Sequence, residues 1–252
     1  MLLHLSDVHF GTERPVCLEA IQRFCNRFKP EVIAISGDLT QRARLPQFIA
    51  CKMYFEQLGI PYFVVPGNHD IPLYHVWDRF FSPFALYQLF FGSLENTLIT
   101  EHFYLIGVNT IRRRSHTKGH LSLQQIHEVN EKLIHAPKDK LKIVVSHQPF
   151  YTAVKDRHEN DCPDLAKLAV QYWGESGLFG LLHGHLHHVA VFDLNQEYQL
   201  HLDHPVFEIH AGTATSSRLY RDTPNSFNVL LNDGTIQHYL FDESSKDFVL
   251  KV

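Results

Sequence analysis

The chain has no Cys-x-x-Cys pair. Its four cysteines, Cys17, Cys25, Cys51 and Cys162, are dispersed over 252 residues, which excludes spaced thiolate metal sets and fits reduced thiols in a cytoplasmic protein, some of them core filler. Long hydrophobic runs are also missing. No segment approaches the roughly 20 apolar residues of a membrane span. The opening "MLLHLSD" is too briefly apolar, with His4 interrupting it, to be expected as a secretion signal. Basic charge is not in excess either: the formal net charge is −4, so no overall field draws in nucleic acid, and no nucleic-acid partner is expected. Repeats, low-complexity tracts and linkers are absent as well. Residues 1–252 are therefore expected to form a single domain, β-rich in its C-terminal part from about residue 189.

What the chain has in quantity is histidine, 19 residues, an abundance that weakens the case for any single one. It also has short apolar runs that stop at polar loops. "LLHL" (2–5) stops at Ser6 and Asp7, "EVIAIS" (31–36) at Gly37 and Asp38, and "YFVV" (62–65) at Pro66 and Gly67. Between them, 15–28 and 45–58 carry apolar residues at helical spacing, the second stopped by Gly59. The first 70 residues thus read as strand–helix–strand–helix–strand, a pattern whose ligand sites gather at the carboxyl ends of the strands. Further strands are expected at 103–109, 141–146 and 178–182, with helices at 122–135 and 164–173. In the tail, strands are expected at 189–194, 206–211 and 227–231, with a hairpin closed through Asn232, Asp233 and Gly234. The expected fold class is α/β, two sheets between helices.

The strand ends carry the chemistry. Asp7 and His9 follow the first strand, Asp38 the second, and Asn68, His69 and Asp70 the third. His147 follows "IVVS", and His183, His185, His187 and His188 follow "LFGLL". Asp7 and His9 are two apart, as are His185 and His187, and on an extended backbone each pair points one way. Oxygen and imidazole donors without thiolate suit Mn²⁺, Fe²⁺ or Zn²⁺ rather than Mg²⁺ or Ca²⁺. The donors are too many for one ion. A shared carboxylate explains the surplus, and Asp38, alone at its strand end, is the natural bridge between two ions about 3.5–4 Å apart.

In order, these residues resemble the metallophosphoesterase (calcineurin-like phosphoesterase) superfamily, whose motifs are D-x-H, G-D, G-N-H-[D/E], H and G-H-x-H. Here they are Asp7-Val8-His9, Gly37-Asp38, Gly67-Asn68-His69-Asp70, His147 and Gly184-His185-Leu186-His187. The resemblance spans positions 7 to 187. It implies a four-layer α/β/β/α sandwich and a phosphoester hydrolase using two divalent transition-metal ions (Mn, Fe or Zn) and a hydroxide held between them. It assigns Asp7, His9, Asp38 and His187 to one ion and Asp38, Asn68, His147 and His185 to the other. By the same resemblance His69 meets the substrate phosphate, and Asp70 orients its own loop.

"GDLTQRA" departs from the protein Ser/Thr phosphatases, and Gln41 stands where purple acid phosphatases carry a ligating tyrosine. "SDVHF", "SGDLT" and "PGNHD" are similar to the bacterial class III cyclic-nucleotide phosphodiesterase branch, except that Gln148 replaces a second histidine before the proline. A small-molecule phosphodiester, cyclic nucleotides first, is the expected substrate. A UDP-diacylglucosamine-type lipid, a nuclease activity and a non-catalytic scaffold on the same fold are the alternatives. Two segments stay open. "IRRRSHTK" (111–118) is a phosphate grip or a solvated loop. "FFSPFALYQLFFG" (80–92) is a helical cap on the core, an apolar wall for a lipid, or a homodimer contact. Residues 212–230 resemble a tail of many bacterial members, His183 and His188 are expected to be structural or to support the ligands from behind, and His210 is expected to be an ordinary solvent-facing or core imidazole.

Overall fold

The computed structural model describes residues 1–73, 76–153, 161–219 and 223–251. Two six-stranded sheets face each other. In the first, β1 (Leu2–Leu5), β2 (Val32–Ile35) and β3 (Tyr62–Val64) are parallel, and β10 (Ser226–Leu230) adds antiparallel to β1, followed outward by β11 (Ile236–Asp242) and β12 (Asp247–Leu250). The second runs β4 (Thr97–Ile99), β5 (Phe103–Gly107), β6 (Leu141–Val145), β7 (Gly180–His183), β9 (Phe207–His210), β8 (Ala190–Asp193).

Alternation along fully buried strands builds the layers. Leu2, Val32 and Ala34 meet Phe103, Ile143, Val145 and Leu182 between the sheets. Leu3, Leu5, Ile33 and Ile35 turn the other way, under α1 (Pro15–Phe28) and α2 (Leu45–Gln57). Ile106, Val144 and Leu181 pack beneath α5 (Leu123–Ile134) and α6 (Ala166–Glu175). The result is the expected α/β/β/α sandwich. The helices form for local reasons. In α1, Cys17, Ala20, Ile21, Phe24 and Cys25 bury one stripe, while in α5 the Ser122 hydroxyl caps Gln125 N–H at 3.2 Å. The C-terminal strands divide between the sheets, β8 and β9 in one, β10 to β12 in the other.

The 80–92 segment splits at Ser82–Pro83 into α3 (Val76–Phe81) and α4 (Ala85–Phe91). α4 is a cap: Tyr87 is buried with its hydroxyl donating to Val64 O at 3.1 Å, and Phe90 stacks on Phe48. α3 is not, since Trp77 and Phe81 are each 77% exposed. Of the 212–230 tail, residues 220–222 lie outside the described set. No described helix is long and apolar enough to cross a membrane. Phe48→Ala is expected to destabilise the fold by about 3–5 kcal/mol and Phe81→Ala by under about 0.5 kcal/mol. Urea unfolding reads both, and equal losses would contradict this division of the aromatics.

Candidate metal centre

Five of the polar residues at the strand ends have left-handed backbones: Asp7 (φ 49°), His9 (45°), Asp38 (51°), His185 (66°) and His187 (57°). The extended-chain reason for Asp7 and His9 to point together therefore does not hold. Each segment turns sharply out of its strand, a conformation that costs non-glycine residues about 1–3 kcal/mol and clusters at functional sites. Asp7 N–H donates to Gly37 O at 3.1 Å and His9 N–H to Asp38 O at 3.0 Å, which locks the β1 and β2 ends together. The motif glycines are close approaches. A Cβ at Gly67 would sit 2.1 Å from Asp38 N, and one at Gly184 would sit 2.2 Å from Asp7 Oδ2.

The side chains converge as two groups. In one, His9 Nε2 lies 3.7 Å from Asp7 Oδ1, 3.6 Å from Asp38 Oδ2 and 3.4 Å from His187 Nε2, and His187 Nε2 is 3.1 Å from Asp7 Oδ1. In the other, His147 Nε2 lies 3.4 Å from Asp38 Oδ1 and 2.9 Å from Asn68 Oδ1, and His185 Nδ1 is 3.1 Å from the same amide oxygen. The two oxygens of Asp38 thus face different groups.

Outer acceptors fix which imidazole nitrogen is bare. A carbonyl only accepts, so His147 Nδ1–H donates to Ser36 O (2.8 Å) and His187 Nδ1–H to Arg218 O (3.0 Å). His185 turns Nε2 toward the Asp161 carboxylate at 3.1 Å. That leaves His147 Nε2, His185 Nδ1 and Asn68 Oδ1 as mutually facing lone pairs, and Asp7 Oδ1 is buried without a hydrogen bond. Such a set is repulsive unless cations lie within it, so the donors fit bound metal. Protonation states agree. Burial drops His9 to about 4 and lowers His147. Burial would push Asp7 and Asp38 up, but the surrounding imidazoles hold both carboxyls below the usual range. His187 is the exception: burial opposes its proton, yet the adjoining Asp7 raises it.

The calcineurin-like phosphoesterase family model matches residues 1–189. The chain belongs to that family. A curated relative from Arcobacter nitrofigilis, whose name reads "Probable glycerophosphodiester phosphodiesterase GpdQ", is 24% identical over 169 residues, 64% of this chain and 58% of its own length. The chain thus spans well under two thirds of that relative. Among solved structures, a purple acid phosphatase from yellow lupin (Lupinus luteus) seeds superposes with a TM-score of 0.71 at 12% identity, over 99% of this chain and 52% of that one. A dimetal phosphatase from Danio rerio gives 0.61 at 12% identity, over 96% and 92%. At these identities the likeness shows the fold alone.

The seven motif donors of this calcineurin-like chain all lie in the two groups. His69 and Asp70 sit beside them. His69 lines the cleft, with its Nδ1–H donating to Gln41 O at 3.0 Å. The Asp70 carboxylate accepts from Leu39 N, Thr40 N, Thr40 Oγ1 and Gly67 N at 2.8–3.0 Å, so it clamps two strand-end loops. Four neighbours were not singled out from the sequence, although two of them belong to the 111–118 loop left open there as a phosphate grip. His116, Thr117, Asp161 and Arg218 line the same cleft of about 360 Å³, and none belongs to a motif. The Gln148 departure had offered a clue. Its amide donates to Thr117 O at 3.2 Å, and its carbonyl oxygen accepts from the Thr110 hydroxyl, which holds the basic loop at the cleft.

Two outcomes follow. Asp161→Ala frees the outer nitrogen of His185 and is expected to weaken one Mn²⁺ site 10–100-fold, leaving the other unchanged in calorimetric titration. Equal change at both sites, or none, would contradict it. The raised His187 keeps its proton to higher pH than His9 or His147, so protons displace metal first from the His187 group. Metal content measured from pH 8 down to 5 should fall by one equivalent before the second. His187→Asn should remove that early step.

Proposed function

We propose that this chain is a dinuclear metal-dependent phosphodiesterase acting on small phosphodiesters, with cyclic nucleotides the first candidates. The single observation that carries the reading is the division of the Asp38 oxygens between two donor groups. Asp7, His9, Asp38 and His187 would hold one ion, and Asp38, Asn68, His147 and His185 the other, as Mn²⁺, Fe²⁺ or Zn²⁺. Bound there, such a pair supplies Lewis acidity and an activated water. The rest falls to the chain. Because His69 spends Nδ1–H on Gln41, Nε2 is left for the substrate, and with a proton on that nitrogen too, as the imidazolium, the ring gives it to the leaving oxygen or stabilises its charge. His116 and Arg218, on the cleft wall, bind the phosphate oxygens. Asp70 keeps the His69 loop in register. Residues 1–252 act as one metallophosphoesterase domain whose β-rich tail completes both sheets. The relative named for glycerophosphodiester hydrolysis supports a small diester.

One observation favours a second reading, a nucleotide-linked lipid of the UDP-diacylglucosamine type. Arg79 of α3 donates to Arg113 O (2.9 Å) and Ser115 O (3.3 Å), which sets the exposed Trp77 and Phe81 beside the loop bearing His116. The Mn²⁺-loaded protein is to be assayed on bis-p-nitrophenyl phosphate, cAMP, a glycerophosphodiester, a UDP-linked lipid and duplex DNA. Small diesters should turn over, and His69→Ala should retain metal while losing about 10²–10⁴-fold in kcat. Turnover of the lipid alone selects the second reading. Faster cleavage of duplex DNA, or full activity in His69→Ala, would overturn the proposal.

A further inference from the structure

A second cluster of donors lies inside the fold, in residues no motif covers. β7 and β9 are parallel with His183 directly opposite His210. Glu208 is two residues before His210 on the same strand, so all three side chains share one face. Each is fully buried. One donor atom from each lies within 4.8 Å of the others, with His183 Nε2 2.8 Å from Glu208 Oε1 and His210 Nε2 3.8 Å from it.

The hydrogen bonding around them is unbalanced. Glu208 Oε1 already accepts from Phe150 N–H (2.7 Å) and Tyr151 N–H (2.8 Å), while Oε2 has no partner among the described residues. His183 Nδ1 faces Gly184 O at 3.3 Å. The carbonyl and the Glu208 oxygen facing Nε2 both only accept, so a neutral ring, with one hydrogen to give, leaves one of its nitrogens bare against an oxygen. Among the described residues neither ring nitrogen of His210 has a partner in full hydrogen-bond geometry, the Tyr151 main chain making only a looser contact with the ring. Burial holds that imidazole well below its usual range. Its ring centre is 4.0 Å from that of His183, and a further imidazole, His188, is 5.6 Å from it. Buried lone pairs that face one another call for a cation among them.

We propose that His183, Glu208 and His210 form a third, structural metal site that takes a borderline divalent ion, zinc before the others. Two imidazoles and one carboxylate are a recurrent zinc set, and the absence of thiolate and of further carboxylates disfavours copper(I) and calcium. The ion ties β7 to β9 directly beneath the turn that carries His185 and His187. It is separate from the cleft donors in residues and in access. With all three donors fully buried, it enters during folding and leaves slowly.

Protein produced with zinc is dialysed under native conditions against EDTA, and metal per chain is read by mass spectrometry. About one equivalent should remain in the wild type and in Asp38→Ala, and should be absent from Glu208→Gln and His210→Gln. Should those two variants fail to fold, X-ray absorption of the chelated wild type decides. A nitrogen/oxygen shell near 2.0–2.1 Å with imidazole scattering is expected. Zinc below about one tenth of an equivalent in the chelated wild type would overturn the proposal. Retained zinc that disappears in Asp38→Ala would also overturn it.

Discussion

Asp38 is the constraint on which the cleft depends. Its carboxylate is 2% exposed and stands between His9 on one oxygen and His147 on the other. His69 N–H donates to the oxygen on the His147 side at 2.8 Å. Everything nearby serves to place this one group. The Gly67 turn leaves room for its main chain, and the left-handed backbone at 38 swings it out of β2. Two sheets must face each other for it to meet donors from both. Asp7, His9, Asp38 and Asn68 come from loops of the first sheet, and His147, His185 and His187 from loops of the second. Sandwich packing therefore builds the site, and a shift of one sheet against the other would separate its halves.

The outer acceptors complete that placement. Ser36 O, Arg218 O and the Asp161 carboxylate each take one imidazole hydrogen, so three of the four histidine donors present a defined bare nitrogen inward. Gln148 and Gly119 extend the same scaffold. Gln148 bonds Thr117 O, Gly119 N–H bonds Asp161 O at 2.7 Å, and the basic loop is thereby coupled to the residue that orients His185. The basic loop and the donor geometry share one set of supports.

Much of this was legible in the residues. Fully apolar runs such as "EVIAIS" and helical spacing such as 16, 20, 21, 24 and 28 stand out from local physics alone, although the buried stripe is 17, 20, 21, 24 and 25 with Phe28 exposed, and the paired sheets followed from the strand–helix alternation. β4 did not stand out because it is an edge strand with Thr97 and Ile99 exposed, and α7 (Leu194–Tyr198) because five residues are too short for a helical period to show. The donors were legible through their ordered motifs, but the reason first given for Asp7 and His9 was wrong. Spacing two apart implies a shared direction only on an extended chain, and φ is 49° and 45° here. Asp161 and Arg218 were hidden because tertiary packing alone brings them to the cleft, and of the 111–118 loop, left open as a phosphate grip, only the packing picks out His116. The opposition of His183 and His210 was hidden for a related reason, since it depends on which residues of β7 and β9 pair.

The most direct test is anomalous diffraction from crystals grown with manganese. A shared Asp38 predicts two peaks about 3.5–4 Å apart, each bonded to a different oxygen of that carboxylate, one flanked by His9 and His187 and the other by His147 and His185. A single peak, or two peaks with no common carboxylate, would contradict it.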